Sequence, residues 1–566
     1  MAAKTYPLMS RREVEALIAD GRSIFILDQH VVKADPWLQY HPGGDKAILH
    51  MVGRDATDEV TALHSADARQ QMNRYRIGKI EGRWANFVPP IQGGKFRPLS
   101  ELSDGSEEFY TNCTTSILSS TASSSHSSSR APSPVFDDTT DPTLRKRHAS
   151  SSENPPGPAS VSSISSADAD DGMSFLDTLT SEKMNLDLDK YPSLDFATQD
   201  TIVAKYRDLH QRIKDEGLYK CSYRAYAIEV CRYSMLAASA LLFLHWGWYV
   251  PSAICLGAFW HQLVFTAHDA GHMGITHGFH TDTVIGIIIA DFLGGLSLGW
   301  WKRNHNVHHI ITNSPEHDPD IQHMPFMAVS HRLLTSLRST FYERVMTYDA
   351  LAKVTLRIQP YTYYLLLSFG RFNLYALSFE FLLRGQGPRK GPAWWHRWLE
   401  LAGQLFFWTW FGYGVVYKSI PTNLDRFVFV LISHMVTMPV HAQICLSHFA
   451  MSTSEMGPHE SFPQKMLRTT MDIDCPQWLD FFHGGLQFQA IHHLYPRIPR
   501  HNLRRTQRLV QDFCNDVGIP YALYGFVDGN KQVVGTLADV SRQAAVLAKC
   551  QQTIAGRDDS IHGHSH

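Results

Sequence analysis

The sequence predicts a multidomain protein: a small α+β domain, a disordered linker and an all-α membrane domain of four spans with a metal site on one face. Three observations predict it. Residues 1–90 alternate short β-like runs (Ser23–Leu27, Val31–Val32) and short helical stretches with Gly and Pro punctuation. Residues 100–175 collapse into Ser, Thr, Pro, Ala and Asp. Beyond Tyr233 the chain turns apolar and carries three histidine clusters: His268-Asp269-Ala270-Gly271-His272, His305-Asn306-Val307-His308-His309 and Gln489-Ala490-Ile491-His492-His493.

Composition sets the outer bounds. A chain of 566 residues is expected to hold more than one domain. The boundaries are drawn at 1–90, 91–180, 181–530 and 531–566, the last being a C-terminal tail. A net charge of −2 gives no electrostatic reason to expect a nucleic-acid partner. The eight cysteines are scattered, with no C-x-x-C pair, which fits a reduced compartment better than a disulfide scaffold. Residues 1–20 mix Lys4, Arg11, Arg12, Glu13 and Glu15 without an apolar core, so no secretory signal is read there and the first domain is expected in the cytosol.

The linker is nearly all serine over Ser123–Ser129 and runs on to Pro155-Pro156-Gly157-Pro158. Such a segment cannot bury enough apolar surface to offset its ordering entropy. It reads as a spacer, or as a tether open to phosphorylation.

In the apolar half, Tyr233–Ala267 contains no Asp, Glu, Lys or Arg. At about 20 residues per span this predicts a helical hairpin turning near Trp248–Pro251. A second pair is predicted at Leu401–Tyr417 and Phe427–Thr453, separated by the polar turn Lys418–Arg426. Thr283–Trp301 carries Asp291, and Tyr361–Leu383 carries Arg371 and Glu380. A charge at mid-span is costly, so both stretches are read as interfacial. The count matters. Four spans in two hairpins return all three histidine clusters to one face, whereas a spanning Thr283–Trp301 would separate the first two.

In the N-terminal domain, His41-Pro42-Gly43-Gly44 is followed by Gly53-Arg54-Asp55-Ala56-Thr57 and then by His64. This run resembles cytochrome b5 over most of residues 1–90. The resemblance implies that His41 and His64 ligate the iron of haem b from opposite sides. Two imidazoles then fill both axial positions, so the haem passes electrons without binding substrate.

Imidazole suits iron, copper and zinc, and spacings of i, i+3 and i+4 aim side chains from one helical face. Three such clusters in order, together with Gly299-Trp300-Trp301-Lys302-Arg303-Asn304-His305 and Gly484-Gly485-Leu486-Gln487-Phe488-Gln489, resemble the membrane fatty-acyl desaturases over residues 200–520. The resemblance implies two iron ions held by His268, His272, His305, His308, His309, His492 and His493. A further histidine is implied from the last span: His448, with His434 and His441 as competitors. His317, His323 and His483 are read as supporting, and His245 and His261 as buried structural partners. Trp300 and Trp301 fit either a channel mouth or an aromatic belt.

Gln489 departs from the histidine that opens the third box in most acyl desaturases. With a fused cytochrome b5 it marks the front-end subgroup, and the run His308–His323 is most similar to fungal delta-8 sphingolipid desaturases. The implied activity is a sphingolipid 8-desaturase, an oxidoreductase acting on the long-chain base of ceramide or a related sphingolipid. It would use O2 and electrons from NAD(P)H through cytochrome b5 reductase and the haem. The implied setting is a multi-pass protein among the membrane lipids of the endoplasmic reticulum, with haem domain and histidine boxes cytosolic. A front-end fatty-acyl desaturase, a lipid hydroxylase and a histidine-rich metal transporter are the alternatives.

Overall fold

A computed structural model describes residues 5–87, 95–96, 136–137 and 166–562. The chain divides into two compact units. The first takes the described parts of residues 1–38, 48–60 and 66–164; the second takes 39–47, 61–65 and the described parts of 165–566.

The N-terminal elements begin with α1 (Arg11–Ala19), where Ser10 and Glu13 close a capping box that satisfies the first free amides. A hairpin follows, β1 (Ile24–Leu27) and β2 (His30–Lys33), turned by Asp28 and Gln29 at φ of 49° and 60°. Two positive-φ residues match the twist of a two-residue hairpin. Strand β3 (Arg76–Lys79) adds antiparallel to β2, with a register shift at Val31/Val32. Val14, Ile18, Ile24, Ile26, Val31, Val52 and Trp84 form the core against this sheet. Between β2 and β3 lie α2 (Asp45–Leu49), α3 (Thr57–Leu63) and α4 (Ala66–Met72).

Most of the expected linker lies outside the described residues, and its last part is helical: α5 spans Ser166–Lys190. Next come α6 (Phe196–Asp215) and the expected hairpin, α7 (Tyr223–His245) and α8 (Tyr249–Gly271), turning through Gly247 at φ 75°. Helix α9 (Phe279–Ile287) continues as a π-helix over Ile288–Leu293. After a break at residues 294–297, α10 (Leu298–Ile310) leaves at 117° to it. The polar stretch then leads to α11 (Ala350–Ser368), α12 (Gly370–Arg384) and α13 (His396–Phe407), which winds on as a π-helix over Trp408–Lys418. Helices α14 (Asn423–Met435) and α15 (Met438–Phe449) run as one length of 27 residues. Beyond them lie α16 (Phe462–Thr469), α17 (Asp480–His483), α18 (Gln489–Leu494), α19 (Leu503–Val517) and α20 (Phe526–His562).

Three helices among the described residues are long and apolar enough to cross a membrane: α7, α8 and the α14–α15 length. The bent α9–α10 pair makes a fourth if counted as one. The expected span Leu401–Tyr417 is not among them, because the winding changes within it and leaves two shorter pieces.

Thr283–Trp301 is not a straight span but a helix pair bent by 117°. Its Asp291 is fully buried at the bend, where Oδ2 accepts from the Leu298 amide (3.3 Å) and Oδ1 from Gln404 Nε2 (3.2 Å). Arg371 donates to the Gly294 carbonyl, and Gly295 takes φ 70° where an added Cβ would meet Phe407 at 2.4 Å. The charge that argues against a span thus holds a turn, and the turn folds the second histidine cluster back toward the first.

The expected C-terminal tail continues the long helix α20, which buries Val533, Leu537, Val540 and Ala544 against its neighbours.

Candidate metal centres

The histidine clusters arise from four separated segments. His268 and His272 end α8, where i and i+4 share a face. His305, His308 and His309 lie on α10, His448 on α15, and His492 and His493 on α18. The structure gathers them into two groups whose ligand atoms lie within 4.8 Å of one another: His268, His272, His305 and His492; and His308, His448 and His493. His309 sits between the groups, its ring centroid 4.7 Å from His492 and 4.3 Å from His493.

The donor chemistry fits metal ions. Buried imidazole nitrogens normally find a partner, yet His272 Nε2, His309 Nδ1, His448 Nδ1, His492 Nε2 and His493 Nε2 have none among the described residues. Burial, reinforced by the neighbouring imidazoles, holds His272, His492 and His493 below the ordinary histidine range. Neutral imidazole is the form that ligates.

Of the competitors from the last span, only His448 joins a group. His434 packs among Trp260, Phe372, Tyr375 and Phe411, and His441 lies against Gly370. His261 is buried in α8, stacked on Phe482, whereas His245 is exposed at the end of α7 and is no buried partner. His317 meets Thr340 Oγ1 (2.9 Å), His323 meets the Asp320 carbonyl (2.8 Å), and His483 packs against Phe526. Trp301 stacks on His305 at 4.4 Å and stands edge-on to His268 and His272, which makes it a wall of the cluster. A Cβ on Gly271 would strike that indole at 2.1 Å. Gln489 is buried as the first residue of α18, and its Oε1 has no hydrogen-bond partner among the described residues.

The residues that hold these imidazoles went unread in the sequence. Asp318 is fully buried, and its Oδ2 accepts from His308 Nδ1 (2.8 Å) and from the Asn313 amide (2.7 Å). A carboxylate so placed fixes the imidazole's tautomer, as outer carboxylates do for metal-binding histidines. Asp320 Oδ2 lies 3.7 Å from His305 Nδ1 and 3.8 Å from His308 Nδ1. Although burial opposes it, His308, His305 and His323 together hold the Asp320 carboxyl below its ordinary range. Asp318 and Asp320 with His308 form a third group within ligand reach. The hydrogen bonds of Asp318 nevertheless assign it to support. His493 Nδ1 lies 3.2 Å from Thr312 Oγ1, and Asn313 Nδ2 donates to the His448 carbonyl (2.8 Å). The third box is held by Asp472, whose Oδ1 accepts from the Ala490 amide (2.8 Å) and whose carboxyl burial pushes up to about 7. Arg500 pairs with both Asp269 and Glu229, tying the first box to the chain beyond the third. The Asp-Pro-Asp of residues 318–320 was visible in sequence, but no spacing rule turned it toward α10.

In the N-terminal segments, the His41 and His64 rings face each other with centroids 5.9 Å apart and planes tilted by 32°. Metal–imidazole bonds of about 2 Å on either side of one iron fit such a gap. His41 Nδ1 meets the Gly44 carbonyl at 2.7 Å, which leaves Nε2 to face inward. Gly44 reaches that position at φ 89°, a conformation that suits glycine. Burial lowers the His41 pKa, in keeping with a neutral ligand.

Residues 238–525 match the fatty acid desaturase family, and residues 10–81 match the cytochrome b5-like haem/steroid-binding domain. A protein of Emericella nidulans named delta 8-(E)-sphingolipid desaturase is 59% identical over 97% of both chains. One of the same name from Kluyveromyces lactis is 46% identical over 99% of this chain and 97% of its own. A Helianthus annuus protein named delta(8)-fatty-acid desaturase is 34% identical over 73% of this chain and 89% of its own.

Proposed function

We propose, from the premise that this chain belongs to the fatty acid desaturase family and carries a cytochrome b5-like domain, that it is a front-end desaturase placing a delta-8 double bond in the long-chain base of ceramide or a related sphingolipid. The observation that carries the reading is the convergence of unpartnered, buried imidazole nitrogens from four segments, beside apolar helices and in one chain with a bis-histidine site. The proposed boundaries are a haem domain at 1–90, a linker at 91–180, a desaturase domain at 181–530 and a C-terminal segment at 531–566.

His268, His272, His305 and His492 would hold one iron, and His308, His448 and His493 a second, with His309 between them. Bound iron supplies the oxidant for removing hydrogen from an unactivated methylene pair, which side chains cannot do. In balance, the lipid loses two hydrogens, O2 takes up two electrons and two protons besides, and two waters leave. The chain's own residues supply geometry. Asp318 keeps the His308 Nδ1 proton in place, Asp472 anchors the start of α18, and Trp301 walls the cluster. His41 and His64 would hold haem b, which relays electrons from NAD(P)H through cytochrome b5 reductase. Gln489 brings an amide where an eighth box imidazole would stand. The endoplasmic reticulum, with both metal sites cytosolic, is the setting in which that electron supply is available.

Two relatives at 59% and 46% identity carry the sphingolipid name, against 34% and 37% for two named for fatty acids, which favours the sphingoid substrate over the fatty-acyl alternative. The test is sphingolipid mass spectrometry with double-bond localisation, after expression in a host that lacks the activity. A new double bond at carbon 8 of the long-chain base is expected. Unsaturation confined to fatty acids, or a hydroxylated product, would overturn the assignment.

A further inference from the structure

Residues 39–47, which carry His41 and open α2, belong to the same compact unit as α10, the helix of His305, His308 and His309. The two segments meet closely. Asn306 Nδ2 donates to the Gly43 carbonyl (3.1 Å), and Arg303 Nε donates to Asp45 Oδ1 (3.0 Å). Arg303 and Asn306 are three residues apart and so share one face of α10. Lys46, next to Asp45, is buried and pairs with Glu343. The approach leaves no room for a side chain at either glycine of the His41 turn. A Cβ on Gly43 would lie 2.7 Å from Asn306 Nδ2 and 2.9 Å from His41 Cε1. One on Gly44 would lie 2.7 Å from Arg303 Cγ. The Gly-Gly pair therefore lets α10 pass directly against the backbone that orients His41.

We propose that this contact is where electrons pass from the haem to the metal cluster, with Arg303 and Asn306 as its positioning residues. The inference rests on the reading of a haem-fed desaturase above and names the surface that the relay uses. The charges fix the register. Asp45 meets a base on α10, and its neighbour Lys46 meets an acid. A slip by one residue would set like charges together, so the segment seats in one way only. The bonding then runs without an open gap. His41 Nδ1 meets the Gly44 carbonyl (2.7 Å), the Gly44 nitrogen is bonded to the Gly43 carbonyl, and that carbonyl accepts from Asn306. Asn306 follows His305 in the chain, and His305 belongs to the first metal group. Electron tunnelling weakens far less across bonded contacts than across open space. In the step itself one electron leaves the haem iron, which is oxidised, and one metal ion of the cluster is reduced. No proton moves and no bond breaks. A flexible tether alone would raise effective concentration without setting a route; the paired charges set one.

The test follows haem oxidation in the full-length, haem- and iron-loaded protein in lipid nanodiscs. The haem is reduced under nitrogen by NADH and cytochrome b5 reductase, then mixed with oxygen and ceramide while the Soret band is recorded. Iron-depleted protein gives the background rate. Asp45→Arg sets like charges against Arg303 and should slow haem oxidation by at least about tenfold, at unchanged haem absorbance and iron content. Adding Arg303→Asp restores opposite charges and should recover most of the wild-type rate, a rescue that a general folding defect would not show. Asn306→Leu removes the bridging donor and should also slow the step. Proximity is read apart from electron flow: Asp45→Cys with Arg303→Cys should be joined by a short bifunctional thiol reagent, seen by mass spectrometry of the linked peptides. Unaltered oxidation rates in Asp45→Arg and Asn306→Leu, beside a wild type that depends on iron, would overturn this surface alone. A charge swap no faster than Asp45→Arg, or cysteines that do not link, would overturn it as well. A wild-type haem that oxidises equally with and without membrane-domain iron would overturn the relay reading and this surface together.

Discussion

The two histidine sites of this chain use the same side chain in different arrangements. In the N-terminal segments, His41 and His64 come from two nearby loops and face each other across a single gap. In the membrane domain, eight imidazoles arrive from the ends of helices far apart in sequence, and five of their nitrogens have no hydrogen-bond partner among the described residues. An iron with both axial positions filled by imidazole is restricted to electron transfer. A cluster that crowds many imidazoles around two positions is suited to bound metal that does chemistry. The supporting shells differ to match. One backbone carbonyl, that of Gly44, orients His41, whereas carboxylates, hydroxyls and amides from several elements orient the second set.

The sharpest way to break this contrast is to remove one ligand from each site. His493→Ala should lower product by more than about 100-fold, beyond the loss expected for an outer-shell residue, while the Soret band is retained. His41→Ala should abolish the Soret band and leave the iron content of the membrane domain intact. Optical spectra and iron analysis of the same purified samples check both. Loss of haem from the His493 variant would mean that the two sites do not fill independently.

His41, His64 and the three boxes stood out in sequence because each rests on short-range spacing that a local element enforces. His305, His308 and His309 share a face because α10 is a helix, and His41 precedes a Gly-Gly turn that only a tight loop needs. The hairpin α7–α8 was equally legible from its uncharged run. What escaped was set by tertiary placement. Asp291 reads as a penalty for a span, and nothing local says that the chain bends by 117° there with the carboxylate capping the turn. The choice of His448 over His434 and His441 depends on which face of α15 meets α10 and α18. Asp472 and Ala490 are far enough apart in the chain that no pattern pairs them.

The outer shell gives the next largest effect and sharpens the contrast, because a carboxylate orients His308 where a backbone carbonyl orients His41. Asp318→Ala leaves His308 Nδ1 and the Asn313 amide without their shared acceptor. Iron affinity should fall by about 10–100-fold, the range for loss of an outer hydrogen-bond partner, with the Soret band unchanged. Asp318→Asn keeps one acceptor oxygen and should recover part of the loss. Iron retained per chain after dialysis against a graded chelator is the measurement. Equal iron retention in wild type and Asp318→Ala would remove Asp318 from the supporting shell.

Acid supplies the mildest challenge, and it separates the sites by what fills them. In metal-depleted protein, burial keeps His272, His492 and His493 neutral below the ordinary histidine range, whereas the unfolded chain protonates them near about 6.5. A group whose folded pKa is depressed binds more protons when unfolded, so stability is held above that value and lost as pH falls below it. Each such histidine then destabilises the fold by up to about 1.4 kcal/mol for every pH unit of descent. The thermal midpoint of the metal-depleted protein should therefore drop between about pH 7 and about pH 5.5. Iron-loaded protein should resist until protons displace the metal, and haem absorbance should hold throughout. Identical pH profiles with and without iron would show that these imidazoles are not metal ligands, and the contrast between a filled pair and a metal-seeking cluster would fall with them.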